Sequence, residues 1–135
     1  MTDTKEIQEP DKTMLEAIKY EKDMLLFSAD KLRSRILGVN ETNIFLEAFL
    51  LHARNLIDFL EASGQEDDIL ITDFKDKDGK RMSRLILNLS EDLKKKINKH
   101  CHHLSKQRLK RKFSWDVEKI RKEVSDKMQK FYSCI

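Results

Sequence analysis

The sequence predicts an all-α fold, a four-helix bundle with a long connection between its second and third helices, on three observations. Glycine occurs three times and proline once in 135 residues, so chain breakers are rare. Lys, Glu, Leu, Ile and Asp dominate, while Tyr, Trp and Val are sparse. Apolar residues recur at helical spacing through four segments, roughly 1–39, 41–63, 90–108 and 114–133. The length suits a single helical domain over 1–135, with residues 1–9 expected to be disordered.

The first helix is expected to begin near Pro10, since proline is tolerated in a first turn, and to run to about Leu37. Two heptad rows mark its buried stripe, Ile18-Leu25-Leu32-Val39 and Leu15-Lys22-Ala29-Ile36. Gly38 is placed as the residue that ends it, and Asn40 or Thr42 as the cap of the next helix. The connection is short, so the two helices should form an antiparallel hairpin.

The second helix is the most apolar run. Twelve of the seventeen residues from Ile44 to Leu60 are apolar, which suits a central, mostly buried helix. At about 100° per residue, Arg54, Glu47 and Asp58 fall within roughly 40° of one another. Asn55 follows at about 80° from Glu47, and His52 at about 140°. Charges this close to a core are costly unless paired, so this polar face requires partners. Asp67 and Asp73 from the following loop, and Asn98, His103 and Arg108 from the third helix, are the expected ones.

Gly64 is placed as the stop of the central helix. Residues 65–82 read as a long connection anchored by Ile69, Leu70, Ile71 and Phe74. A β-hairpin across residues 69–87, with ILITDF and MSRLIL about a KDKDG turn, ranks second because two strands alone are marginal. Ser90 starts the third helix with Glu91 and Asp92 in its first turn. Ser114 is the expected cap of the last helix, which buries Val117, Ile120, Val124, Met128 and Phe131.

Charge is unevenly distributed. Residues 1–92 hold 13 Lys+Arg against 20 Asp+Glu, whereas residues 93–135 hold 14 against 4. From Lys94 to Lys112 there are nine basic residues and no acid, including Lys99, Lys110, Arg111 and Lys112. Such a run is either a surface for an anionic partner, most plausibly RNA, or a solvated face docked on the acidic half. No apolar run is long enough to cross a membrane, and the N-terminal residues lack the apolar core of a signal peptide. Two cysteines are too few for a disulfide framework, so a cytoplasmic setting is expected. Cys101 reads as a packed thiol and Cys134 as a frayed terminal one.

Metal and nucleotide chemistry find little support. His100, Cys101, His102 and His103 are adjacent on a helix and point in different directions. FKDKDGKRMSRL fails as a calcium loop, because aligning Gly79 to its sixth position puts Leu85 where a carboxylate is required. No glycine-rich phosphate loop is present, and no cofactor is expected.

The strings LLHARNLIDFL, DDILITDF and INKHCHHLSKQR, in this order, resemble a family of uncharacterised small bacterial helical proteins. The matching positions are His52, Arg54, Asn55, Asp58, Asp67, Asp68, Asp73, Asn98, Lys99, His103 and Arg108, within residues 42–115. More loosely, a helical bundle with an Arg-Asn pair and a downstream histidine is similar to HEPN domains, many of which are metal-independent ribonucleases and often dimerise. The HEPN spacing of Arg, four to six residues, then His is not met, since Phe59 stands five residues after Arg54.

That resemblance implies a ribonuclease in which His103 works as acid or base, and Arg54 and Arg108 hold phosphate. His52, Asn55 and Asp58 would then orient them. The residue chemistry agrees: an imidazole can exchange protons near neutrality and a guanidinium grips phosphate with a fork. The alternative from the same residues is a non-enzymatic interaction module, in which the His/Arg/Asp group is a network that specifies the fold. A small-molecule pocket lined by the same polar face is a third reading.

Overall fold

The structure is a computed structural model and describes residues 12–34, 36–102 and 115–135. It contains four helices, α1 (Lys12–Arg33), α2 (Val39–Glu61), α3 (Glu91–His102) and α4 (Val117–Cys134), and no strand among the described residues. One core cluster joins them. Ile18, Leu25 and Ala29 come from α1, while Phe49, Leu50, Ala53, Leu56, Ile57, Phe59 and Leu60 come from α2. Ile97 of α3 and Ile120, Val124, Met128 and Phe131 of α4 complete it. The expected stripe on α4 is therefore the one observed, with Val117 only half-buried at its start.

α1 and α2 form an antiparallel hairpin, but its turn differs from the expected one. α1 stops at Arg33, four residues short of Leu37. Gly38 does not end α1; it is the N-cap of α2 with extended backbone, and its amide donates to Glu41 Oε1 at 3.0 Å. Ile36 and Val39, read as continuations of the heptad rows, are 87% and 79% exposed. The heptads break because the chain leaves the helix before reaching them.

At the other end of α2, Ala62 rather than Gly64 takes the left-handed conformation, with φ 55°. Its amide and that of Ser63 bond back to Phe59 and Asp58 carbonyls and close the last turn. Gly64 has a different reason to be glycine. A Cβ there would lie 2.5 Å from Asp68 Oδ2, the same oxygen that accepts the Gln65 amide.

The long connection between α2 and α3 is packed, though irregular. A single 3-10 turn, Ile71–Asp73, is followed by an isolated bridge between Lys75 and Arg81, with Gly79 at φ 83° in the tip. The β-hairpin thus shrinks to one bridge. Phe74 is buried and forms an edge-to-face triangle with Phe59 of α2 and Phe131 of α4, with ring centroids 5.1–6.1 Å apart. Ile71, Met82, Leu87 and Leu89 are buried with it, so the connection closes the core where a fifth element would otherwise be needed. The helix α4 is capped by Asp116, whose carboxylate accepts the Lys119 amide at 3.0 Å. Ser114, the expected cap, lies outside the described residues. Cys134 is half-buried against the core and its carbonyl accepts the Lys77 amide, so it is not a frayed end. No described helix is long and apolar enough to cross a membrane.

Candidate functional site

The polar face of α2 finds its main partner on α1, where none was anticipated. Glu21 Oε1 lies 2.7 Å from His52 Nδ1 and accepts from Asn55 Nδ2 at 3.0 Å. A carboxylate only accepts, so this contact fixes the His52 tautomer with its proton on Nδ1. The imidazole is 7% exposed and meets the ring of Tyr20 edge-on. Burial by itself would raise the Glu21 carboxyl, but the hydrogen bonds from His52 and Asn55 outweigh it and hold the group below the usual carboxylate range.

The chain of bonds continues across α2 to α3. Arg54 Nη1 donates to Asn55 Oδ1 at 3.4 Å and Arg54 Nε donates to Asn98 Oδ1 at 3.1 Å. Asp58 lies one turn along at 3.9 Å from Arg54 Nε, and it accepts the Ser63 hydroxyl at 3.0 Å. Glu21, His52, Asn55, Arg54 and Asn98 thus form one continuous polar relay over three helices. Of the residues named for the α2 polar face, His52, Arg54, Asn55 and Asp58 have partners within it. Glu47, the remaining one, meets His100 of α3 at 3.1 Å.

The loop residues are placed differently. Asp67 is exposed and lines a cavity of about 440 Å³, together with Ala17, Glu21, Arg54, Asn55, Asp58 and Asp68. Asp73 does not join it; its carboxylate accepts the Leu70 amide at 2.8 Å and caps the 3-10 turn. Lys99 is exposed on α3. His103, Arg108, Lys110, Arg111 and Lys112 lie outside the described residues, so the structure places only His52, Arg54, Asn55, Asp58, Asn98 and Asp67 around one region. Asp76, from the rejected calcium loop, accepts the amides of Asp78 and Lys80 in a tight turn. Among the described residues no group of three or more His, Cys, Asp or Glu side chains is arranged to hold a metal ion.

A second buried ion pair was missed by the sequence reading. Glu61, at the end of α2, accepts Lys94 Nζ at 2.6 Å and the Leu87 amide at 2.9 Å with the same oxygen. Burial would lower the Lys94 ammonium, but Glu61 and Glu91 overcome this and raise it. Lys94, the first of the nine basic residues, is therefore turned inward and not presented to solvent. One signal was available for both missed acids. Glu21 stands three residues after Ile18 and four before Leu25, and Glu61 stands four after Ile57. A carboxylate on the flank of an apolar stripe must have a partner.

Comparison with protein-family models, curated proteins and solved structures gave no match.

Proposed function

We propose that the protein is a non-enzymatic helical interaction module, whose His/Arg/Asp group specifies the fold. The observation that carries this is the enclosure of His52 against Glu21. A general acid or base needs an imidazole nitrogen in reach of substrate. Here the ring is buried between α1 and α2, 7% exposed, which keeps it from a substrate. Arg54 is divided between Asn55 and Asn98, and among the described residues the cavity beside it carries more carboxylates than cations, which disfavours a phosphate.

The test pairs two measurements on the purified chain. Incubation with single-stranded RNA should leave it intact, and Arg54→Ala should lower the melting temperature by several degrees. RNA cleavage that disappears in His52→Ala or His103→Ala, with the fold retained, would overturn the reading.

A second reading is favoured by one feature, the run of nine Lys or Arg and no acid from Lys94 to Lys112. In it the chain binds RNA or another anionic partner through that segment, and His103 and Arg108 supply HEPN-like ribonuclease chemistry. RNA affinity falling steeply with added salt supports this reading; affinity that ignores salt counts against it.

A further inference from the structure

The α1–α2 hairpin leaves four large apolar side chains along one face. Tyr20 and Phe27 on α1 are 56% and 48% exposed, and Ile44 and Leu51 on α2 are 63% and 41% exposed. Within each helix the two are seven residues apart, so each pair leaves its helix on the same side. The ring contacts Tyr20–His52 and Phe27–Phe45 set the antiparallel register. In that register Tyr20 is level with Leu51 and Phe27 with Ile44. Half-buried Met24 and Ala48 fill the space between. The result is an apolar stripe about 10 Å long.

Beyond Tyr20 and Leu51, away from the hairpin turn, this face carries Ala17, Asn55 and Asp58, which with Glu21 line the 440 Å³ cavity. Among the described residues the cavity is lined by four carboxylates, Glu21, Asp58, Asp67 and Asp68, against the one guanidinium of Arg54. One continuous surface is therefore apolar near the hairpin turn and anionic at its other end. Scattered exposed apolar residues are ordinary, but a contiguous stripe marks a contact surface.

We propose that this face binds a cationic amphipathic helix of another protein, with its apolar side chains on Tyr20, Phe27, Ile44 and Leu51 and a Lys or Arg side chain in the acidic cavity. Charge complementarity selects this occupant. A phosphate-bearing or acidic segment would bring its charge against the excess of carboxylates, whereas a basic one is drawn in. The stripe spans about two helical turns, the reach over which a docked helix repeats its i, i+4 and i+7 contacts. The inference deepens the interaction-module reading and rests on it.

The probe is a fluorescein-labelled helical peptide with leucines on one face and lysines on the other, titrated against the full chain by anisotropy. Binding is expected, and Leu51→Ser and Asp67→Asn should each weaken it at least fivefold. Ile86→Ser, an exposed apolar residue of the connection, should leave it unchanged. A peptide with glutamates for the lysines should not bind. Equal affinity for both peptides, or indifference to Leu51→Ser and Asp67→Asn, would overturn the proposal. So would sedimentation showing a dimer that Leu51→Ser converts to monomer, which gives the face to a second copy of the chain. RNA cleavage lost in His52→Ala would sink the non-catalytic reading and leave the peptide titration standing, so the two failures are distinguishable.

Discussion

Glu21 on α1 and His52 on α2 meet at 2.7 Å across the hairpin, at the acceptor end of the polar relay. With His52 and Asn55 both donating to one oxygen of Glu21, the carboxylate is the acceptor on which the chain ends. Removing its charge should leave two donors poorly satisfied. Glu21→Gln is expected to cost about 1–3 kcal/mol at neutral pH, measured by urea denaturation.

The same residue predicts an acid dependence. Its folded-state pKa is lowered, so the folded protein gives up this proton more readily than the unfolded chain does. The stabilisation is present above the unfolded value of about 4.3 and is lost as pH falls through the folded value. Denaturation midpoints followed from pH 6 to pH 3 should fall less steeply in Glu21→Gln than in the wild type. Parallel curves would show that Glu21 does not contribute to acid unfolding.

Glu61 and Lys94 predict an alkaline counterpart. The Lys94 pKa is raised, so its contribution is intact below the unfolded value of about 10.4 and lost as pH rises through the folded value. Removing one partner is worse than removing both, because the survivor keeps its charge in a low-dielectric site. Glu61→Ala should cost about 3 kcal/mol, since it also orphans the Leu87 amide. The double change Glu61→Leu with Lys94→Met should recover much of that loss in thermal melts.

Ala62 predicts a gain. A side chain in the left-handed region costs about 1 kcal/mol, which glycine avoids. Part is returned through the greater freedom of glycine in the unfolded chain. Ala62→Gly should raise stability by about 0.5 kcal/mol, and a lower melting temperature would mean that the half-buried methyl matters more than the backbone.

Phe131 stands at the centre of the aromatic triangle and is fully buried. Phe131→Ala should cost about 3–5 kcal/mol. Because Phe74 then loses the nearer of its two ring partners, proteolysis within residues 71–89 should accelerate ahead of global unfolding.

The core was legible because it is periodic. Ile18 and Leu25, or Ile120, Val124, Met128 and Phe131, can be read from spacing alone, and all are buried. Ile36 and Val39 fit the same spacing and are exposed, because periodicity cannot see where a helix stops. The polar face of α2 was legible as a face in need of partners, since charges on an apolar helix are conspicuous. Its partner was not, for Glu21 looks like any other acid on a charged helix until α1 and α2 are set in register. Asp73 was assigned to that face for its charge. The competing Leu70 amide, three residues away, is nearer, and local capping won.

The connection between α2 and α3 is fastened largely by its own amides. The Lys77 amide bonds to the Cys134 carbonyl, Leu85 to the Leu60 carbonyl, Leu87 to Glu61 and Asn88 to Glu123. Amide protection from hydrogen exchange, usually a signature of helix or strand, should therefore appear in a segment that has almost neither. Leu85 and Leu87 should exchange slowly and Ile86 between them fast, giving the end of the connection an alternating pattern of its own. Substituting side chains at Lys77 or Leu85 would leave those two bonds in place, and proline is the one residue whose insertion there removes them.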